Sequence, residues 1–275
     1  MMRNALSFYY FNSIGVPSPE TKHFWLVIND VPQGVYLEIE AVDHLFFARR
    51  NMDIHSLIYA VNDSADFSLI DPETKSKKSS LFDGYELIQG GDGARRRLIS
   101  FVRSINRRSG KSLSFFVARR LDIPQYLRWL AGAVLTGNYD GFDQNYALYE
   151  HRSSKKLRIN PWDYEGTWGR NCYGKPCGSD LVRLQGYNML TAKLLSLPAY
   201  KVRYKKLLKG LLRTSFTLEK LEPVISKMHA RLSPAIRADY TRKASYDTFL
   251  SEPAFIQAYI VERRRILFQA LREWK

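Results

Sequence analysis

The feature that most constrains the fold is the segment 122–137, which is apolar on nearly every side. Asp122 suits an N-cap and Pro124 suits the first turn, so the segment predicts a helix. Its apolar residues surround the axis: Ile123, Tyr126, Leu127, Trp129, Leu130, Ala131, Ala133, Val134 and Leu135. A helix that is apolar all round is normally buried. We therefore expect this helix in the core, and it leads directly into a polar segment that begins at Asn138.

The size and composition suit one large domain, or two lobes that share a cleft, because 275 residues with 45% hydrophobic content can build a substantial core. A disordered chain is excluded on the same grounds. No run of about 18 apolar residues is present and the N-terminus lacks a signal-peptide pattern, so we expect no membrane span. We interpret Cys172 and Cys177 as reduced thiols of a cytosolic protein, with a disulfide as the alternative and with too few neighbouring ligands for zinc.

The formal net charge of +15 attracts polyanions, such as nucleic acid, acidic membranes or nucleotide phosphates. The basic residues are dispersed, mostly on predicted helices, in runs at 75–78, 95–97, 107–108, 201–209 and 263–265. A solvated helix face is the commoner explanation for such runs. Since no nucleic-acid-binding motif accompanies them, we expect no nucleic acid partner.

The order of elements predicts an α+β fold, with a mixed α/β part over about 1–91 and a mainly helical part over about 92–275. In the first part we expect helices 3–14 and 43–51, a hairpin of strands 23–29 and 35–40, strands 57–61, 67–70 and 85–88, and a mobile polar loop at 71–80. In the second part we expect helices 94–106, 112–120 and 122–137, a hairpin of strands 146–150 and 157–160, a glycine-rich loop at 166–178, and four or five more helices that end with 255–274.

The chemistry is expected in the segment 138–145, where Asp140 and Asn145 have the Asp-x4-Asn spacing of a protein-kinase catalytic loop. In that loop the Asp orients and deprotonates an acceptor hydroxyl, and the Asn holds a metal ion. The spacing alone is a weak signal. The alternative is a turn rich in Asp and Asn that makes only local hydrogen bonds.

A second carboxylate strengthens the signal. Asp163, in the segment 159–170, follows the next apolar strand, where a kinase keeps its second metal-binding Asp. Because a hairpin returns the chain close to where it left, Asn145 and Asp163 are expected to face one cleft. Glu165 is a further candidate ligand, and carboxylate and amide oxygens suit Mg²⁺ or Mn²⁺.

Two segments carry a resemblance to a known family. They are 137–149, Gly-Asn-Tyr-Asp-Gly-Phe-Asp-Gln-Asn-Tyr-Ala-Leu-Tyr, and 161–169, Pro-Trp-Asp-Tyr-Glu-Gly-Thr-Trp-Gly. Together they resemble the CotH kinase family, the spore coat protein H group. The likeness extends over nearly the whole chain, through the segments 2–8, 15–19, 33–43, 126–132 and 185–192.

The resemblance implies a single domain over 1–275 with a diverged, two-lobed protein-kinase-like fold. It implies an atypical protein kinase that transfers the ATP γ-phosphate to Ser or Thr residues of spore coat proteins, in the mother-cell cytoplasm and the spore coat. Asp140 then matches the family's catalytic Asp and Asp163 its metal-binding Asp. Relatives usually have more strands before 3–5, so the expectation includes an N-terminal truncation of the small lobe and the loss of a nucleotide-contacting Lys. Glu165 stands where the family often has Asp, so an altered metal geometry is also expected.

Three further residues are candidates for nucleotide binding, each with a plainer alternative. Glu40 could pair with a phosphate-binding base such as Arg3, although a structural ion pair is the commoner role. Trp162 could stack on adenine, although a Trp beside a metal site more often belongs to the core. Arg170 could touch a phosphate, or could be a solvated loop residue.

Two rival functions remain open beside the kinase. One is a catalytically inactive scaffold for coat assembly, a pseudokinase, which the short N-terminus motivates. The other is a polyanion-binding protein that acts through its charge of +15.

Overall fold

The computed structural model describes residues 2–274. Within them the elements are, in chain order, α1 (Met2–Ser13), β1 (Thr21–Ile28), β2 (Val31–Ile39), α2 (His44–Arg49), β3 (Ile54–Ala60), β4 (Tyr85–Gln89), α3 (Asp92–Arg107), α4 (Gly110–Arg120), α5 (Ile123–Thr136), β5 (Tyr146–His151), β6 (Leu157–Pro161), α6 (Met189–Leu195), α7 (Pro198–Thr214), α8 (Leu218–Ala238) and α9 (Tyr246–Glu273). The predicted α+β class is confirmed.

The central helix α5 forms as the sequence predicts. Its N-cap, Asp122, accepts a hydrogen bond from the Gln125 N–H at 3.2 Å, and Gly137 ends it in the left-handed conformation with φ 76°. Twelve of its fourteen residues are buried. Gln125 accepts from the Ile159 N–H at 3.0 Å and donates to the Ile159 carbonyl oxygen, so the helix is fastened to β6 through both polar groups of one side chain.

The main sheet is antiparallel, with the strand order β4-β3-β5-β6. It joins two strands from before residue 92 to two strands from after it, so the two parts of the chain share one sheet. Their side chains also share one hydrophobic core, from Met2 to Leu267. The two-lobed arrangement implied by the resemblance stays a prediction.

A separate two-stranded hairpin, β1–β2, has a shorter turn than expected. Asn29 and Asp30 both adopt positive φ, 48° and 63°, as a tight two-residue hairpin turn requires. Gly34 therefore lies inside β2 rather than in the turn. Its φ is 90°, and a Cβ there would meet Asp239 Oδ1 at 2.3 Å, so this position needs glycine.

Two local expectations were wrong, those for the segment 67–70 and for Arg263. The segment 67–70 is no strand: Phe67 adopts φ 61° and stacks on Tyr146, and Ile70 makes only an isolated bridge. In the polar loop 71–80 the Lys78 side chain is 2% exposed and its amine donates to Asp66 at 2.6 Å, and the mobility of the loop stays a prediction. Arg263 is 1% exposed and donates to the carbonyl oxygens of Val134, Ser179 and Val182, so part of its basic run is core rather than a solvated face.

None of the helices in the described part of the chain has the length and apolar character needed to cross a membrane.

Candidate active site

The polar segment after α5 is held by one buried amide. Asn138, which is 2% exposed, donates from Nδ2 to the Asp163 carbonyl oxygen at 3.2 Å, and its Oδ1 accepts from the Gly141 N–H at 3.1 Å. Asp140 lies between these contacts, half-buried, in the turn that follows the helix. The turn is thus fixed to the segment that carries the second predicted carboxylate.

The β5–β6 hairpin brings Asn145 and Asp163 to the same end of the sheet, as the sequence predicts. Tyr146 pairs with Pro161, Asn145 precedes the first strand, and Asp163 follows the second. The Trp162 N–H donates to the Asn145 carbonyl oxygen at 2.9 Å. Asn145 and Asp163 both adopt positive φ, 59° and 53°. Such a backbone costs energy in a non-glycine residue and is often found at functional sites.

The carboxylates of Asp163 and Asp140 act on that of Glu165. Burial first, then the neighbouring Asp163 and more weakly Asp140, raise the pKa of Glu165 to about 7. Glu165 Oε2 is buried and has no hydrogen-bond partner. Glu165 is therefore a partly buried acid with one unpartnered oxygen beside other carboxylates, and a cation would favour its ionised form.

Oxygen donors of this kind fit Mg²⁺ or Mn²⁺. Asp163, Glu165 and the Asn145 amide would supply two anionic oxygens and one neutral oxygen, and Mg²⁺ in nucleotide sites completes its shell with phosphates and water. Within residues 2–274 no three His, Cys, Asp or Glu side chains are grouped closely enough to hold an ion by themselves. The residues thus fit a metal that arrives with a nucleotide better than a resident, fully protein-bound metal.

Arg170 and Arg3 share one acidic partner from a distant helix. Arg170 pairs with Glu252 of α9 at 3.0 Å, and Arg3 pairs with the same carboxylate. Arg3 also donates to the Glu165 carbonyl oxygen at 3.1 Å. Arg170 is therefore not the solvated loop residue of our alternative, and Arg3 is not the partner of Glu40.

Glu40 pairs instead with two arginines of the α2 region, with Arg50 at 2.7 Å and Arg49 at 3.3 Å. Burial opposes its ionisation, but the hydrogen bonds from Arg50, Glu20 and Arg49 outweigh burial and lower the pKa of Glu40. Glu40 thus makes a structural ion pair, the commoner of the two roles considered for it, and the alternative pair with Arg3 does not form. Glu40 lines a cavity of about 390 Å³ between the β1–β2 hairpin and α2, and its proposed role toward a nucleotide stays a prediction.

Trp162 is half-buried at the edge of a small apolar cluster. Its ring packs on Tyr59, with centroids 5.3 Å apart and planes at 36°. The cluster comprises Val42, Phe46, Phe47, Ile54, Leu57, Ala147 and Tyr149. Phe46 also lines the cavity beside Glu40, so this cluster and that cavity adjoin. The packing agrees with a core role for Trp162, and stacking on adenine stays a prediction.

Sequence reasoning missed three residues that build the site. Asn138 stood within the predicted loop but had no assigned role. Asn4, 8% exposed, accepts from the Tyr164 N–H at 3.1 Å and so positions the residue between the two acidic side chains. Glu252 had no local signal, because its partners are distant in sequence.

Three further side chains with reactive or titratable groups are Cys172, Cys177 and Asp143. Cys172 and Cys177 are both free, and burial, followed by the charge of Asp140, raises the pKa of the Cys172 thiol, which argues against a thiolate nucleophile. Burial, followed by the charges of Asp66 and Asp63, raises the pKa of Asp143 to about 6. Asp143 thus faces a different acidic neighbourhood from that of Asp140.

A family model and two known proteins that match this chain all point to one family. The family model described as CotH kinase protein matches residues 1–267. The inner spore coat protein H of Bacillus subtilis (strain 168) is 38% identical over 267 residues, which are 97% of this chain and 74% of the relative. The inner spore coat protein H-like protein of the same organism is 26% identical over 255 residues, which are 93% of this chain and 69% of the relative.

Proposed function

The chain belongs to the CotH kinase protein family, and from that membership we propose that it is an ATP- and divalent-metal-dependent protein kinase that modifies Ser or Thr residues of spore coat proteins. The 38% identity to an inner spore coat protein supports a role in the spore coat. The phosphoryl transfer and its acceptor are the part of the proposal that goes beyond this likeness.

The observation that carries the proposal is the convergence of acidic and amide side chains on one end of the β5–β6 hairpin. The charges of Asp163 and Asp140 act on Glu165 there, and Asn145 and Asp163 lie just beyond the paired residues Tyr146 and Pro161. Phosphoryl transfer requires little covalent chemistry from the protein, but it requires the acceptor and the triphosphate to be positioned in line. The buried Asn138 supports that positioning, since it links the turn of Asp140 to Asp163.

The roles of the residues follow from this arrangement. Asp140 orients the acceptor hydroxyl and takes its proton as the oxygen forms a bond to the γ-phosphorus and the bond to the β-phosphate oxygen breaks, which releases ADP. Asp163, Asn145 and Glu165 would hold the divalent ion. When bound, that ion neutralises charge on the phosphate oxygens. Trp162, Glu40 and Arg170 are the proposed contacts to the remainder of the nucleotide.

Radiolabel transfer from ATP to a Ser-rich coat protein tests the proposal. We expect Asp140→Ala to abolish transfer while nucleotide binding survives, and Asp163→Ala to weaken metal-dependent nucleotide binding as well. Asp180→Ala, at an exposed position outside the cluster, is the control and should transfer label like the unmodified chain. Full activity in both cluster variants would eliminate the kinase proposal.

One observation favours the inactive scaffold as the second candidate. Arg170, the proposed phosphate contact, is already paired with Glu252, and the carboxylates are not grouped as a preformed metal site among the described residues. Thermal-shift titration with Mg-ATP separates the two candidates. A rise in Tm that Asp163→Ala removes supports the kinase, whereas no rise at any concentration supports the scaffold.

A further inference from the structure

A groove between α7 and α9 is lined almost entirely by cations. The cavity holds about 720 Å³ and its lining comprises Lys205, Lys206, Lys209, Arg213, Arg265, Phe268, Leu271 and Arg272. None of the described residues that line it is acidic. Six cations lie close together in this groove, and their mutual repulsion opposes folding. A basic helix face that serves only solubility has no need of such close grouping.

Most of these charges have no carboxylate partner among residues 2–274. Arg265 pairs with Glu262 at 2.7 Å, and Lys205 donates to the Trp274 carbonyl oxygen. In the described part of the chain no carboxylate forms an ion pair with Lys206, Lys209, Arg213 or Arg272. The four lining cations of α7 are spread over about two helical turns, and Lys205 and Arg213 are about 12 Å apart along the helix axis at 1.5 Å per residue.

The dimensions and floor of the groove fit a short peptide. About 12 Å accommodates roughly four residues of extended chain at about 3.3 Å each. Half-buried Phe268 and Leu271 give the floor an apolar character that suits peptide side chains. Single-stranded nucleic acid sites commonly add base stacking on aromatic rings, whereas the Trp274 ring, which Lys205 of the groove contacts, is already covered by the Lys201 and Lys205 amines, at 4.8 and 5.6 Å.

The charge favours phosphoserine over Asp or Glu in that peptide. A phosphoserine carries about −1.5 to −2 charges and three strong acceptor oxygens, so it can engage several cations at once. Four unpaired cations within so short a groove exceed what one carboxylate can satisfy. We propose that this groove binds a phosphorylated segment of the acceptor protein. This inference rests on the proposed phosphoryl-transfer function.

The groove lies at a suitable distance from the candidate active site. Helix α9 joins them: Glu252 contacts Arg3 and Arg170 at the site, and Arg265 and Arg272 line the groove. These positions are about 20 to 30 Å apart along the helix at 1.5 Å per residue. An acceptor protein held there by one phosphorylated segment would present its next serines to Asp140 at a raised effective concentration.

The test is fluorescence anisotropy without ATP, on the full chain carrying Asp140→Ala. The probes are a short peptide with adjacent phosphoserines, the same peptide with Ser, the same peptide with Asp, and a single-stranded DNA of equal charge. The groove variant is Lys206→Gln/Lys209→Gln/Arg213→Gln. The control variant, Lys220→Gln/Lys227→Gln/Arg231→Gln, removes the same charge from exposed positions of α8.

We expect the phosphoserine peptide to bind more tightly than the other three probes. The groove variant should weaken its binding by about tenfold or more, and the α8 variant by less than about twofold. Circular dichroism and Tm should be unchanged in both variants. Equal binding of the Asp peptide or the DNA, equal losses in the two variants, or no binding to the unmodified groove would each overturn the proposal.

Binding is measured without phosphoryl transfer, so the result is independent of whether the chain is a kinase. If label transfer fails and phosphopeptide binding in the groove persists, the proposed kinase function is lost while the docking site stands. If transfer to a short unphosphorylated Ser peptide persists and groove binding fails, the docking site is lost while the kinase stands.

Discussion

Asn138 donates a hydrogen bond to the main-chain carbonyl oxygen of Asp163 at 3.2 Å, so one buried amide joins the turn of the proposed base to the segment of the proposed metal ligands. The same side chain accepts from the Gly141 N–H at 3.1 Å. Because the amide both donates and accepts, no other side chain of equal size can replace it.

We predict that Asn138→Asp lowers kcat for phosphoryl transfer more than it raises KM for ATP. The carboxylate still accepts from Gly141, but it faces the Asp163 carbonyl oxygen with no proton to donate. Asn12→Asp is the control, because Asn12 makes the same pair of bonds, with the Ser18 carbonyl oxygen at 3.2 Å and the Ser18 N–H at 3.0 Å, outside the site. A stability loss of about 1 to 3 kcal/mol is expected at Asn138. An unchanged kcat would show that the bond does not position the site.

Glu252 is predicted to be the main electrostatic anchor of the site, because it neutralises both Arg3 and Arg170 where all three side chains are largely buried. Glu252→Gln should lower the free energy of unfolding by about 3 kcal/mol, since it leaves two desolvated cations without a counter-ion. Urea denaturation measures this change. Glu262→Gln removes an exposed pair with Arg265 from the same helix and should change the free energy of unfolding much less, because water screens an exposed pair. Equal effects would show that the buried network is no stronger than a surface pair.

Two helical glycines should respond oppositely to alanine. A Cβ at Gly132 of α5 would meet the Phe11 ring at 2.3 Å, so Gly132→Ala forces α1 and α5 apart and should destabilise the fold by about 1 to 3 kcal/mol. A Cβ at Gly210 of α7 meets nothing within 4 Å, so Gly210→Ala should stabilise it by about 0.5 to 1 kcal/mol. Thermal unfolding of the two variants tests both signs. A Gly132→Ala variant as stable as the unmodified chain would contradict the close α1–α5 contact.

Asp239 should make stability depend on pH. It caps the end of α8 and accepts from the Val35 N–H at 2.8 Å, which fastens the β1–β2 hairpin to the helical part. Burial opposes its ionisation, but the hydrogen bonds from Val35 and Thr241 outweigh burial and lower the pKa of Asp239. A lowered pKa stabilises the fold above the unfolded-state pKa of about 3.9, and this contribution is lost as the pH falls through the folded-state value.

The corresponding variant is Asp239→Asn. It should be less stable than the unmodified chain near neutral pH, and the difference should shrink as the pH falls from about 4 to below the lowered folded-state pKa, where the native carboxyl becomes protonated. Urea denaturation across this range measures the difference, with exposed Asp180→Asn as the control. A constant difference at all pH values would show that the carboxylate charge does not contribute.

Much of the local structure was predictable because its causes lie close together in the chain. Asp122 and Gly137 bound α5, and the apolar residues between them predict its burial. The two strands after Asn145 predict a hairpin, and the hairpin predicts that Asn145 and Asp163 meet at one end. The strand predicted at 67–70 was wrong because a distant contact decides its structure. Its apolar residues suit a strand, but Phe67 packs in the core against Tyr146.

The sequence by itself determined the element order, the central helix and the chain positions of the acidic and amide residues, since caps, turns and periodicity act over a few residues. Only the tertiary structure decided the partners of the charged side chains. Arg3 meets Glu252 across 249 positions, Glu40 takes Arg50 in place of Arg3, and Arg263 is buried against carbonyl oxygens. An ion pair depends on distance in space and on desolvation, and neither is encoded in local spacing.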